Sequence, residues 1–144
     1  MQEELCLIDT NILVYAYSGT DERKSELAFE LLEDCFDREE SFAVCLQNLS
    51  EFFFVVTKHV ERKLSAEDAK KITQDIIDFK GFKKIQYDEN TLFRAMNFVD
   101  NYKVDFWDAL IASTMIDNGI VNIYTENVKD FSKIPGINVV NPFV

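Results

Sequence analysis

The sequence predicts a three-layer α/β/α sandwich built on a mostly parallel central sheet. Two observations predict it. Short, continuously apolar runs alternate with longer segments whose apolar residues recur every three or four positions, from one end of the chain to the other. No repeat, linker or low-complexity stretch interrupts this alternation, and the 144 residues contain only 4 glycines and 2 prolines. That length suits one domain spanning residues 1–144.

The first apolar run, Leu5-Cys6-Leu7-Ile8, is short enough for a strand buried on both faces and ends at Asp9-Thr10-Asn11. Residues 21–37 follow as a helix, with Leu27, Leu31, Leu32, Cys35 and Phe36 on one stripe. Residues 41–45 (SFAVC) read as the second strand. Residues 46–62 read as a helix carrying Leu49, Phe52, Phe53, Val55 and Val56, its aromatic stripe from Phe52 to Phe54 assigned to the core. Ser65 followed by Asp68 opens a helix reaching Phe79. Residues 83–87 (KKIQY) form the third strand. Asp88 or Asn90 caps the next helix, which bears Leu92, Phe93, Met96 and Val99. Asp105 caps another, holding Trp107, Leu110, Ile111, Thr114 and Met115, which stops near Gly119. Residues 121–124 (VNIY) and 137–140 (INVV) complete the sheet, the last strand near its edge.

Composition narrows the function. Fifteen basic against 26 acidic residues leave a net charge of −11, which argues against broad electrostatic binding of nucleic acid. The same balance suits an acidic pocket for a divalent cation or a basic protein partner. No stretch is long and apolar enough to cross a membrane, and the acidic start MQEEL lacks the basic segment of a secretory signal, so the expected location is the cytoplasm. Cys6, Cys35 and Cys45 sit in apolar surroundings without CxxC spacing and read as buried free thiols.

In open α/β sheets, ligand sites form beyond the carboxyl ends of the strands, so acids falling there are the candidates. Asp9 directly follows the first strand, and Asp130, with Glu126 nearby, follows the VNIY strand. Asp108 lies in the first turn of the helix that feeds that strand. Glu51 stands among apolar residues in LSEFFFVV, one turn past the second strand, where an unpartnered charge is costly to bury. Carboxylates sharing a pocket repel one another, and a bound Mg²⁺ or Mn²⁺ relieves that conflict with a preference for oxygen ligands. Acids and a divalent ion on a sheet edge suit phosphodiester hydrolysis. Plainer readings stand beside each: Asp9-Thr10-Asn11 as a turn, Asp108 as a helix-start acid beside the Asp105 cap, Glu51 facing water, Asp130 as a solvated loop acid. The cluster Glu33, Asp34, Asp37, Glu39 and Glu40 reads as solvated surface, and His59, at a helix end, as structural or exposed. No GxSxG elbow, phosphate-binding glycine loop or GxGxxG is present.

Four segments carry a resemblance. Leu7-Ile8-Asp9-Thr10-Asn11-Ile12-Leu13-Val14 resembles the opening of a PIN domain. Gln47-Asn48-Leu49-Ser50-Glu51-Phe52 and Phe106-Trp107-Asp108-Ala109-Leu110-Ile111-Ala112 resemble its second and third motifs. Residues 124–131 (YTENVKDF), with Pro135-Gly136 and the tail VNPF, resemble its close. The match runs the length of the chain in the right order and is nearest to the VapC-like toxins of toxin–antitoxin pairs. It implies an endoribonuclease dependent on Mg²⁺ or Mn²⁺, with Asp9, Glu51, Asp108 and Asp130 as catalytic acids. Asp9, Asp108 and Asp130 would hold one or two ions; Glu51 would ligate or act through water as general base. Family members differ in whether the fourth acid stands at 127 or 130; here 127 is asparagine, which assigns it to Asp130. Thr10, Asn11, Thr125 and Asn127 become polar helpers. The resemblance further implies an RNA substrate, a homodimer using apolar helices near the N-terminus, and a small basic antitoxin that blocks the acidic pocket. Lys58, Arg62, Lys63, Lys70, Lys71, Arg94 and Lys103 are candidate RNA contacts. Two other readings differ in class: a catalytically idle interaction module and a free-standing RNA-processing nuclease. A phosphatase of the haloacid dehalogenase type is disfavoured because Asn11 occupies the place of its second acid.

Overall fold

A computed structural model describes residues 4–33 and 41–144. Five strands form one sheet in the order β3-β2-β1-β4-β5: β1 (Cys6–Ile8), β2 (Phe42–Cys45), β3 (Phe82–Ile85), β4 (Asn122–Tyr124) and β5 (Asn138–Val140). Every pairing is parallel, with Leu7 opposite Ala43 on one side and Ile123 on the other. A strand embedded in a parallel sheet has helices on both faces, which explains why β1 and β2 are buried along their whole length. The side chains alternate accordingly. Cys6, Ile8, Phe42 and Val44 enter one core; Leu7, Ala43 and Cys45 enter the other.

The first core is closed by α1 (Thr10–Ser18), α2 (Glu22–Glu33), α3 (Leu46–Lys58) and α4 (Ala66–Asp78) through Ile12, Leu13, Leu32, Phe52, Val56 and Ile76. Phe52 alone, fully enclosed, contributes about 2–3 kcal/mol of burial. The second core is closed by α5 (Glu89–Tyr102), α6 (Phe106–Asp117) and the short α7 (Val128–Phe131). Helix α6 is buried at every position from Ala109 to Met115, because it packs on the sheet and on α5 together. The expected α/β/α sandwich is therefore present, with a wholly parallel sheet.

The caps explain where several helices begin. Ser65 and Asp105 accept hydrogen bonds from the N–H groups of Asp68 and Asp108, and Asp88, not Asn90, caps α5. Gly119 takes φ +68° after α6, the left-handed turn expected of it. Gly19, after α1, is required for a different reason: a Cβ there would fall 2.5 Å from Ser25 Oγ and 2.7 Å from the Tyr15 carbonyl, where α2 approaches.

Several expectations are corrected. The turn weighed at Asp9-Thr10-Asn11 is the start of a helix over residues 10–18, because Asp9 accepts a hydrogen bond from Thr10 N–H at 2.8 Å and starts α1 with no intervening loop. Helix α7 was not anticipated. The third strand begins and ends earlier than 83–87, and α3 stops at Lys58, followed by a bend. Of the aromatic stripe, only Phe52 is core. Phe53, Phe54, Phe93, Met96 and Trp107 are exposed, because their helices present one face to the sheet and the other to solvent. Cys6 and Cys45 are buried free thiols as expected; Cys35, most of the acidic cluster and the end of the first expected helix lie outside the described residues. Among the described residues, no helix is long and apolar enough to cross a membrane.

Candidate active site

The site lies at the carboxyl end of the sheet, where β1 is flanked by β2 and β4 and the chain's crossovers diverge. Asp9 ends β1, α3 leaves β2 carrying Asn48 and Glu51, and the segment after β4 supplies Thr125 and Asn127. Helix α6 presents Asp108 in its first turn.

Asp9 is 5% exposed and fully engaged. Its Oδ1 accepts from Thr10 N–H (2.8 Å) and Asn48 Nδ2 (3.3 Å). Its Oδ2 accepts from Thr125 Oγ1 (2.7 Å) and Asn11 Nδ2 (3.4 Å). Burial nevertheless dominates and, helped by the charge of Glu51, pushes the carboxyl up to about 6 against the lowering effect of these hydrogen bonds. Glu51 receives one hydrogen bond on each oxygen, from Thr10 Oγ1 and Gln47 Nε2, both at 2.8 Å. Asp108 Oδ2 accepts from Asn127 Nδ2 at 2.6 Å. Burial first, then the charges of Asp9, Asp105, Asp130 and Glu51, push Asp108 up to about 7.

These groups open into one cleft of about 430 Å³. Asp9, Thr10, Asn11, Glu51, Asp108 and Asn127 line one part of it; Val14, Tyr15, Val55, His59 and Val60 line the rest. Three of the four expected acids thus meet in one cavity. Asp130 stands behind them. Its Oδ2 lies 3.4 Å from Asn127 Nδ2, its Oδ1 lies 3.6 Å from Lys133 Nζ, and it does not line the cleft. Glu126 is held aside, accepting from Tyr15 Oη (3.0 Å) and Lys24 Nζ (2.9 Å). Thr125 lies fully buried beneath Asp9. Among the basic candidates, Arg94 is committed to Asp117 (2.7 Å) and the Ser113 carbonyl (3.2 Å), locking α5 to α6. Lys103 Nζ donates to the Asp100 carbonyl.

Two contributors were missed in the sequence. Asn48, wholly buried, accepts from Cys45 N–H and donates to both Asp9 and Thr10 Oγ1 (3.0 Å). Gln47 ties Glu51 to the Trp107 carbonyl (3.0 Å), joining α3 to α6. The available signal was two amides three and four residues before Glu51, placed on its helix face. His59, expected to be structural or exposed, caps the end of α3 and also lines the cleft.

The donor set is all hard oxygen: carboxylates, hydroxyls and amides. Among the described residues, no three His, Cys, Asp or Glu side chains converge as a ready-made cage. That suits Mg²⁺ or Mn²⁺ better than zinc, since Mg²⁺ keeps several waters and is held by only one or two carboxylates. Asp9 and Asp108 fit that requirement, and a cation held by both would offset the burial and, after it, the neighbouring charge that raise their carboxyls.

The fold matches several solved structures. The chain is similar to a toxin–antitoxin complex from Klebsiella pneumoniae at 26% identity and a TM-score of 0.67, covering 95% of this chain and 97% of that one. It is also similar in fold to VapC20 of Mycobacterium tuberculosis, a sarcin–ricin loop cleaving toxin (14% identity, TM-score 0.70, 88% of this chain and 93% of that one). DNA-bound VapBC from Salmonella typhimurium gives 18% identity and a TM-score of 0.69, with 97% and 99% covered. A comparison with curated protein sequences returns no match. The PIN domain model matches residues 6–137, which include β1, α3 and α6 with Asp9, Glu51 and Asp108, and the chain belongs to the PIN domain family.

Proposed function

We propose that this protein is an endoribonuclease that requires Mg²⁺ or Mn²⁺ and acts in the cytoplasm as the toxin of a toxin–antitoxin pair. The observation that carries this reading is the meeting of Asp9, Glu51 and Asp108 in one cleft, with burial and mutual repulsion raising Asp9 and Asp108. Such crowding is costly in the bare protein and is relieved by a divalent ion. The structural likeness to toxin–antitoxin complexes supports the toxin role and an antitoxin partner. The net charge of −11 suits a basic antitoxin segment, and the homodimer rests on the family resemblance.

In this reading Asp9 and Asp108 would hold the ion, and Asp130 would bear on it through Asn127, which donates to both Asp108 and Asp130. When bound, the ion polarises a phosphate oxygen and lowers the pKa of the attacking water. Glu51, fixed by Thr10 and Gln47, orients that water and accepts its proton. Asn48, Thr125 and Asn11 keep the Asp9 carboxylate in one orientation. Asn127 donates to Asp108 and Asp130 and so holds two acids apart.

The test is cleavage of single-stranded RNA by purified protein with Mn²⁺ or Mg²⁺, beside EDTA and an Asp9→Asn control. The expected result is cleavage that needs the ion and falls at least about 100-fold in the variant, in the range of losing one catalytic group. Equal activity in Asp9→Asn would remove the proposed site.

A further inference from the structure

The cleft is wider than the acids need, and its other part has a different chemistry. Along α1, Asn11 is followed one turn on by Val14 and Tyr15; along α3, Glu51 is followed by Val55 and then His59. Eight residues of helix set His59 about 12 Å from Glu51 along the axis. The lining thus passes from carboxylates to aliphatic and aromatic groups within two turns.

This wall is built firmly. His59 N–H donates to the Val55 carbonyl at 2.7 Å, and Leu64 N–H to that of Val56 at 2.9 Å. The buried hydroxyl of Ser18, at the end of α1, donates to the Arg62 carbonyl and ties the loop carrying His59 and Val60 to α1. The imidazole rests on Phe54 with ring centroids 4.6 Å apart, and no side-chain hydrogen bond engages its nitrogens among the described residues.

Charge decides which part of an RNA belongs there. Among the described residues no Lys or Arg lines the cleft, so the part formed by Val14, Val55, Val60 and His59 offers a phosphate no ammonium or guanidinium. Affinity in that part then comes from uncharged contact, and the uncharged, flat part of a nucleotide is its base. Resting on the nuclease reading above, we infer that Val14, Val55, Val60 and His59 form a subsite for one unpaired nucleobase near the cleaved phosphate. The imidazole packs against the base and offers its nitrogens to the base edge.

His59 is the only histidine, so its imidazole proton signals in NMR report this place alone. The protein in EDTA is titrated to millimolar concentration with single-stranded ribotrinucleotides and with the same trinucleotide lacking its central base. Both carry equal charge, so electrostatic differences cancel. The expected result is a His59 shift with the base-containing molecules, an abasic response at least about fivefold weaker, and, in calorimetric titrations of both proteins, a preference for the base-containing over the abasic molecule that His59→Ala loses. The shift caused by base-containing RNA should also differ among the four bases. An equal response to the abasic molecule, or no response to either, would overturn the subsite. So would a response to N-acetyl-arginine amide alone, which would mark the cleft as a basic-peptide site. A His59 response in a protein that cleaves no RNA would sustain the subsite and defeat the nuclease. Cleavage whose base preference is unchanged in His59→Ala, with a silent imidazole, would defeat only the subsite.

Discussion

Replacing Asp9 by asparagine should stabilise the protein in EDTA at neutral pH while abolishing its chemistry. Asp9 ionises at 3.8 in an unfolded chain and at about 6 when folded, chiefly because it is buried. A group raised in this way contributes stability that is present in full below pH 3.8 and is lost as pH rises through about 6. By pH 7.5 the loss is about 3 kcal/mol, at about 1.4 kcal/mol per pH unit. Asparagine removes the charge but turns an NH₂ toward Thr125 Oγ1 and Asn11 Nδ2, where an acceptor stood. That mismatch costs about 1 kcal/mol. The variant should therefore melt roughly 5–8 °C above the native protein at pH 7.5. Its advantage should shrink by about 2 kcal/mol toward pH 4.5, where most of the native Asp9 is already protonated. Thermal melts followed by circular dichroism across that range measure both quantities. A variant that melts lower at pH 7.5, or a difference that does not change with pH, would refute the reasoning.

Adding Mn²⁺ at pH 7.5 should raise the Tm of the native protein, and Asp108→Asn should abolish most of that rise; calorimetric titration gives the affinities directly. Gln47→Leu leaves Glu51 with one hydrogen bond instead of two and should lower kcat about tenfold with little change in KM. Asn127→Asp replaces the amide 2.6 Å from Asp108 by a like charge, and should lower the metal-free Tm at pH 8 with recovery at saturating Mn²⁺. Gly19→Ala forces a Cβ against Ser25 and the Tyr15 carbonyl and should cost about 1–3 kcal/mol in urea denaturation.

The strands were readable because a parallel sheet demands short, unbroken apolar runs, and all five occur near the expected residues. Helix α1 was not, because only the three polar residues Asp9, Thr10 and Asn11 separate Leu7 and Ile8 from Ile12 and Leu13, which reads as a turn rather than as a helix start. Helix α7 has four residues, too few for any period to show. Asp9 was legible from its place directly after β1, Glu51 from a helix one turn past β2, and Asp108 from the first turn of the helix that leads to β4. Asn48 was not, since a buried amide announces its role only through partners brought from other elements. Asp130 shows the limit from the other side. The sequence puts it on the correct loop, but the turn of α7 and the Asn127 amide decide that it stands behind the cleft.

The placement of β1 beside β4 has a consequence in time. Asp9 leaves the ribosome early, yet the hydroxyl that fixes its carboxylate, Thr125, follows 116 residues later. Contacts so far apart in the chain pay a large loop-closure entropy and form late. Until Thr125 has been made, Asp9 lacks the hydroxyl that fixes its carboxylate, so the acid cluster is aligned only after β4 has joined the sheet.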